Sequence, residues 1–177
     1  MIAGPAICGV FFTATIDGKQ GLKHLLRLIV KWKVHIKWYC AAILLFPATL
    51  LLIFFSLSFV SARFYPSSLL IPGLIVGLIG GFFEEIGWTG FAMPKLLLRF
   101  GFIKTGIILG VIHSFWHFFA DYLGGVDFYK TLYYFHFFLW ILALICLRFF
   151  IIWIYNLTGS LLLPILTHSS FTGSQLI

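Results

Sequence analysis

Long apolar runs separated by short polar breaks set the pattern of this chain. Six segments stand out: about Ile2 to Ile16, Trp38 to Ser61, Leu69 to Trp88, Thr105 to Tyr122, Leu132 to Tyr155, and Thr158 to the C-terminus. They are too long and too continuously apolar for the alternating strands of a membrane barrel. Helices are then the means of satisfying backbone polar groups in lipid. The pattern predicts an all-α polytopic membrane bundle of about six transmembrane helices, with residues 1–177 forming a single domain and its core in 69–177. The first segment is short for a complete span, and the chain is expected to begin partway into a larger domain. MIAGPAICGVFF lacks the positive n-region of a signal peptide.

Polar and turn residues mark the boundaries. Asp17-Gly18-Lys19-Gln20-Gly21 reads as a turn. Gly21 to Lys37 follows as a basic amphipathic helix: Lys23, Arg27 and Lys31 share one face at i, i+4, i+8, while Leu22, Leu25, Leu26 and Ile29 supply apolar area. Such a helix lies in the membrane interface. Pro66 and Pro72 lead into the third span, Pro94 interrupts the stretch after it, and Gly124-Gly125 ends the fourth. Pro164 in the sixth is accommodated by neighbouring helices. No internal repeat or low-complexity tract is present.

Composition agrees with the pattern. The chain is 62% hydrophobic and 10% charged, with a mean hydropathy of +1.08, which excludes a soluble domain. The net charge of +7 invites a nucleic-acid partner, but position argues against one. Half of the basic residues fall between Lys19 and Lys37, beside a span, where they face anionic lipid. Lysine and arginine asymmetry also sets orientation. With loop 17–37 cytoplasmic, that side receives Lys19, Lys23, Arg27, Lys31, Lys33, Lys37, Lys95, Arg99, Lys104 and Arg148, and the other only Arg63 and Lys130. Cys8, Cys40 and Cys146 are scattered in apolar sequence, give neither a disulfide framework nor metal spacing, and read as buried thiols.

Glu84 and Glu85 are the only charges between Leu69 and Trp88. A carboxylate at membrane depth costs about 2.5–3.5 kcal/mol on insertion scales, so such residues are candidates for function. Two close carboxylates disfavour double ionisation, which suits one of them to act as a general base. Adjacent helix positions point about 100° apart, so one faces a cavity while the other makes a structural contact. His113 and His117 share a helix face at i, i+4. This is metal-ligand spacing without the glutamate of an HExxH helix. His168 lies mid-span in the sixth segment. Glu84, His113, His117 and His168 are the candidate ligands if a divalent metal is held. His136 reads as a packing or interfacial residue, His24 and His35 as solvated, and Asp121 and Asp127 as carboxylates at a span end. Ser114 is not in a nucleophile elbow, which argues against a serine hydrolase.

Three stretches together carry a resemblance. Glu84-Glu85-Ile86-Gly87-Trp88-Thr89-Gly90-Phe91 with Pro94-Lys95-Leu96 resembles the first motif of the CPBP family. These are the CAAX proteases and bacteriocin-processing intramembrane proteases, relatives of the type II CAAX prenyl endopeptidase. Gly110 to His117 resembles the second motif, with its histidine at His117. Thr158-Gly159-Ser160-Leu161 through His168-Ser169-Ser170-Phe171 resembles the third, with its histidine at His168. Asp17 to Leu22 and the basic helix after it resemble the connector before the family core.

The resemblance covers nearly the whole chain and implies a helical bundle with a cavity opening within the membrane. It implies Glu84 as the base that activates water, Glu85 as its supporting partner, His117 as a group that binds or polarises the water, and His168 as a stabiliser of the oxyanion. It leaves open zinc or another divalent ion and a metal-independent glutamate mechanism. Its substrates are peptides or prenylated proteins. Three positions depart from the pattern: Thr89 stands for an arginine, His113 for an aromatic residue, and Thr172 for an asparagine or aspartate.

The leading expectation is an intramembrane endopeptidase in a plasma membrane. A non-catalytic scaffold or immunity-type protein on the same fold is the alternative that the Thr89 and Thr172 departures motivate. A proton or metal transporter using Glu84, His113, His117 and His168 is a third.

Overall fold

The computed structural model describes residues 2–65 and 70–175, and every regular element among them is helical. Pro66 and Leu69, assigned above to the entry of the third span, lie outside the described residues. The chain divides into two compact units, Met1–Ala92 with Ile154–Ile177, and Met93–Trp153.

In the first unit, α1 (Gly4–Phe12) opens with Pro5 in its first turn, where a missing N–H costs nothing. It winds into a π-helical turn, Thr13–Asp17. Gly18, at φ +63°, makes the corner, and α2 (Gly18–Ile29) starts at once. The expected five-residue turn is thus a single-residue corner, because one glycine in the left-handed region suffices.

The basic helix is present but ends at Ile29 rather than Lys37. Its apolar face is not given over to lipid alone: Leu25 is buried in a core with Ala6, Ile86, Leu161 and Ile165. Lys23 and Arg27 remain exposed. The segment after α2 is tied to the chain near Thr158. Lys31 Nζ donates to the Thr158 carbonyl at 2.7 Å, and Ser160 Oγ to the Lys31 carbonyl at 2.7 Å. Lys31 thus neutralises an orphan carbonyl at a helix C-terminus.

His35 caps α3 (Ile36–Ser58) by accepting from the Lys37 N–H. Helix α4 (Leu70–Gly87) packs against α7 (Leu162–Ser174), and α3 packs on α7 as well. The α4–α7 contact is made by glycines. A Cβ on Gly77 would lie 2.5 Å from the Ser169 carbonyl oxygen, and one on Gly81 would lie 2.8 Å from that of Ile165. Small residues one turn apart allow this close backbone approach in membrane helices.

In the second unit, α5 (Met93–Tyr129) is broken at Gly101, where φ is +70°. Gly124-Gly125 does not end it; both lie within the helix. Among the described glycines, only Gly18, Gly101 and Gly159 adopt positive φ, so the helix turns where that conformation is used. Pro94 does not interrupt a helix either, since it sits in the first turn of α5. Helix α6 (Tyr133–Thr158) packs on α5 through Gly106 and Gly110, which lie against Phe149 and Ile145. Phe118, Tyr122, Tyr133 and Phe137 form an aromatic cluster, and His136 stacks on Tyr129 at 3.9 Å.

Among the described residues, three stretches are long and apolar enough to cross a membrane: Ile36–Ser58, Ile71–Asp127 and Lys130–Thr158. The second is 57 residues long. At about 1.5 Å per residue that is well over twice a bilayer core of roughly 30 Å, so it contains both the third and fourth predicted spans. The first and sixth apolar segments form α1 and α7, of 9 and 13 residues, each too short for a straight crossing. All three cysteines are exposed, which corrects their assignment as buried. Apolar neighbours in a membrane protein mark a lipid-facing surface as readily as a core.

Candidate active site

The first unit holds four of the polar residues in question. Glu84 and Glu85 are buried at 2% and 0% exposure near the end of α4, one turn beyond Gly81. Thr89, at 0%, falls in the π-helical turn Trp88–Ala92 that follows. His168, at 4%, sits mid-way along α7.

Glu85 is held from two sides. Thr89 Oγ1 donates to Oε2 in a short hydrogen bond, and His168 Nδ1 lies 2.7 Å from Oε1. With Nδ1–H donating to a carboxylate, Nε2 of His168 donates in turn only when the ring is an imidazolium. Glu85 then supplies the counter-charge. Thr89 therefore takes over, with a neutral hydroxyl, the i+4 position where the resemblance expects an arginine. Glu84, next in sequence, is the second buried carboxylate.

The second unit holds the paired histidines. His113 is buried and His117 is partly buried, both on α5. Their Nε2 atoms are 3.2 Å apart. Arg148, fully buried on α6, places Nη2 2.9 Å from His113 Nδ1. Trp140 presents its ring edge-on to His117 at 6.3 Å. Ser114 donates to the Gly110 carbonyl within its own helix, as expected of a structural serine.

Sequence reasoning missed two features. Arg148 was counted among cytoplasmic loop charges, yet it is buried inside α6. The signal was available: a lone arginine in an apolar span carries the same insertion penalty that singled out Glu84 and Glu85. The second is the Gly77–Gly81 pair, legible as a small-residue repeat, which seats α4 on α7 and so brings Glu85 to His168. His24 and His35 are exposed, as expected, and His136 packs on Tyr129. Thr172 is half-buried, and nothing in the structure explains its replacement of asparagine or aspartate.

The model of the Type II CAAX prenyl endopeptidase Rce1-like family matches residues 66–173, and the chain belongs to that family. It is also similar to CAAX prenyl protease 2 of Methanococcus maripaludis, at 30% identity over 66% of this chain and 47% of the relative. The chain spans about half the length of the curated relative it matches.

Proposed function

We propose that the chain is an intramembrane endopeptidase that hydrolyses a peptide bond with water activated by Glu84. The observation that carries this reading is the division of labour between two buried carboxylates. Both Glu85 oxygens have partners on the chain, Thr89 and His168, which suits Glu85 to orient a histidine, while the family pattern gives the neighbouring buried carboxylate, Glu84, the proton. A carboxylate shielded from bulk water is a suitable general base. Glu84 accepts a proton from water, the hydroxide adds to the scissile carbonyl, and the C–N bond breaks as that proton passes to the leaving amine. His168, as an imidazolium backed by Glu85, donates to the oxyanion of the tetrahedral intermediate. His117 is assigned to polarising the water on the family pattern alone.

His113 and His117, one turn apart on α5, are donors of the kind a divalent ion takes. Arg148 works against it. A histidine that ligates a metal through one nitrogen normally donates from the other to a carboxylate or carbonyl. His113 instead receives a hydrogen bond from a cation. The reaction is therefore written with no step through a metal.

Family membership supports a peptide or prenylated-protein substrate in the membrane. The exposed basic face of α2 supports contact with anionic lipid, and the surplus of lysine and arginine supports a cytoplasmic loop 17–37 in a plasma membrane. Peptide cleavage by the wild-type protein and by Glu84→Ala tests the reading.

A further inference from the structure

We infer that Arg148 and His113 are a positioning pair that fixes the tautomer of His117. A guanidinium has five donors, no acceptor, and keeps its proton in proteins. The nitrogen that faces Arg148 Nη2 at 2.9 Å, His113 Nδ1, is therefore a lone-pair acceptor. A neutral His113 then carries its proton on Nε2.

That Nε2 lies 3.2 Å from Nε2 of His117. His113 donates, His117 accepts, and the remaining proton of a neutral His117 sits on Nδ1. Each role is forced by the one before it, starting from a group that cannot reverse. Without the arginine, either histidine could be the donor and two arrangements would coexist.

The pair also accounts for His113 itself. The resemblance expects an aromatic residue at this position, and a phenyl ring offers no in-plane acceptor to a buried guanidinium. Arg148 and His113 also engage the very nitrogens that an i, i+4 histidine pair would turn to a metal: Nε2 of His113 bears a proton and donates, and the lone pair on Nε2 of His117 accepts that hydrogen bond. Within the second unit, His113 and Trp140 lie against His117, and Asp121, one turn further along α5, is within electrostatic reach.

The word positioning rests on the peptidase reading given above; the hydrogen-bond direction does not. The test is a long-range proton–nitrogen spectrum of the full chain in detergent, with 15N-labelled histidine and at a pH where the rings are neutral. The wild type is expected to show His113 as the Nε2–H form and His117 as the Nδ1–H form, with equimolar zinc leaving both signals in place. Arg148→Met is expected to lose the single pattern and give mixed tautomers at both rings. His113→Phe, as a second variant, is expected to release His117 alone.

A wild-type His117 in the Nε2–H form, a pattern unmoved by Arg148→Met or by His113→Phe, or zinc-shifted ring signals would overturn the inference. No substrate is present in these spectra. A protein that shows the pattern and cleaves nothing refutes the peptidase reading and leaves the pair standing. An active peptidase with mixed tautomers refutes the pair.

Discussion

His168 Nδ1 lies 2.7 Å from Glu85 Oε1, and both residues are almost fully removed from the surface. Breaking such a buried pair from one side leaves an uncompensated polar group and typically costs about 3–5 kcal/mol. His168→Ala is expected to lower the thermal midpoint in detergent sharply. The double variant Glu85→Met/His168→Phe, which removes both groups, is expected to recover most of the loss. A single variant as stable as the double would refute the pairing.

Thr89 is a second hold on the same carboxylate. Thr89→Val keeps the shape but removes the donor, and an unsatisfied buried acceptor costs about 1–3 kcal/mol. Thr89→Ser is expected to retain stability and Thr89→Val to lose it. Equal midpoints for the two variants would show that the hydroxyl contributes nothing.

The seat of α4 on α7 is tested by two neighbouring glycines. A Cβ on Gly81 meets backbone at 2.8 Å, while one on Gly80 meets no atom within 4 Å. Gly81→Ala is expected to destabilise by about 1–3 kcal/mol through overpacking. Gly80→Ala is expected to be neutral, or stabilising by up to about 1 kcal/mol from helix propensity. Thermal unfolding of the two variants side by side decides this, and the reverse ranking would contradict the packing.

Orientation is open to a labelling test. In a cysteine-free variant carrying Lys33→Cys, a membrane-impermeant maleimide is expected to react only after cells are opened. Labelling of intact cells would place loop 17–37 on the outer side.

The sequence disclosed the helical class and the two glutamates through one physical argument, the cost of charge in lipid. The same argument applied to Arg148, which lies inside the fifth predicted span, but counting it with the loop charges for orientation hid its burial within α6. His168 stood out as a histidine in an apolar span, but its pairing with Glu85 was hidden, because a lone histidine in an apolar helix has no periodicity to betray its partner. Helix ends were the least legible. Gly124-Gly125 and Gly101 look alike on paper, and only the backbone angle separates a glycine inside a helix from one that breaks it. The exposure of the cysteines was hidden for a related reason: in a membrane chain an apolar run does not say which face meets lipid.

The central claim is that Glu84 activates the water for peptide hydrolysis. The most direct measurement is cleavage of a fluorogenic peptide panel, prenylated CAAX peptides included, by purified wild type and Glu84→Ala, each with and without a chelator. Wild type is expected to cleave at a rate the chelator does not change, and Glu84→Ala to lose about 10²–10⁴-fold, the usual contribution of a general base. A Glu84→Ala protein that cleaves at the wild-type rate, or a wild-type protein that leaves every peptide intact, would contradict the claim.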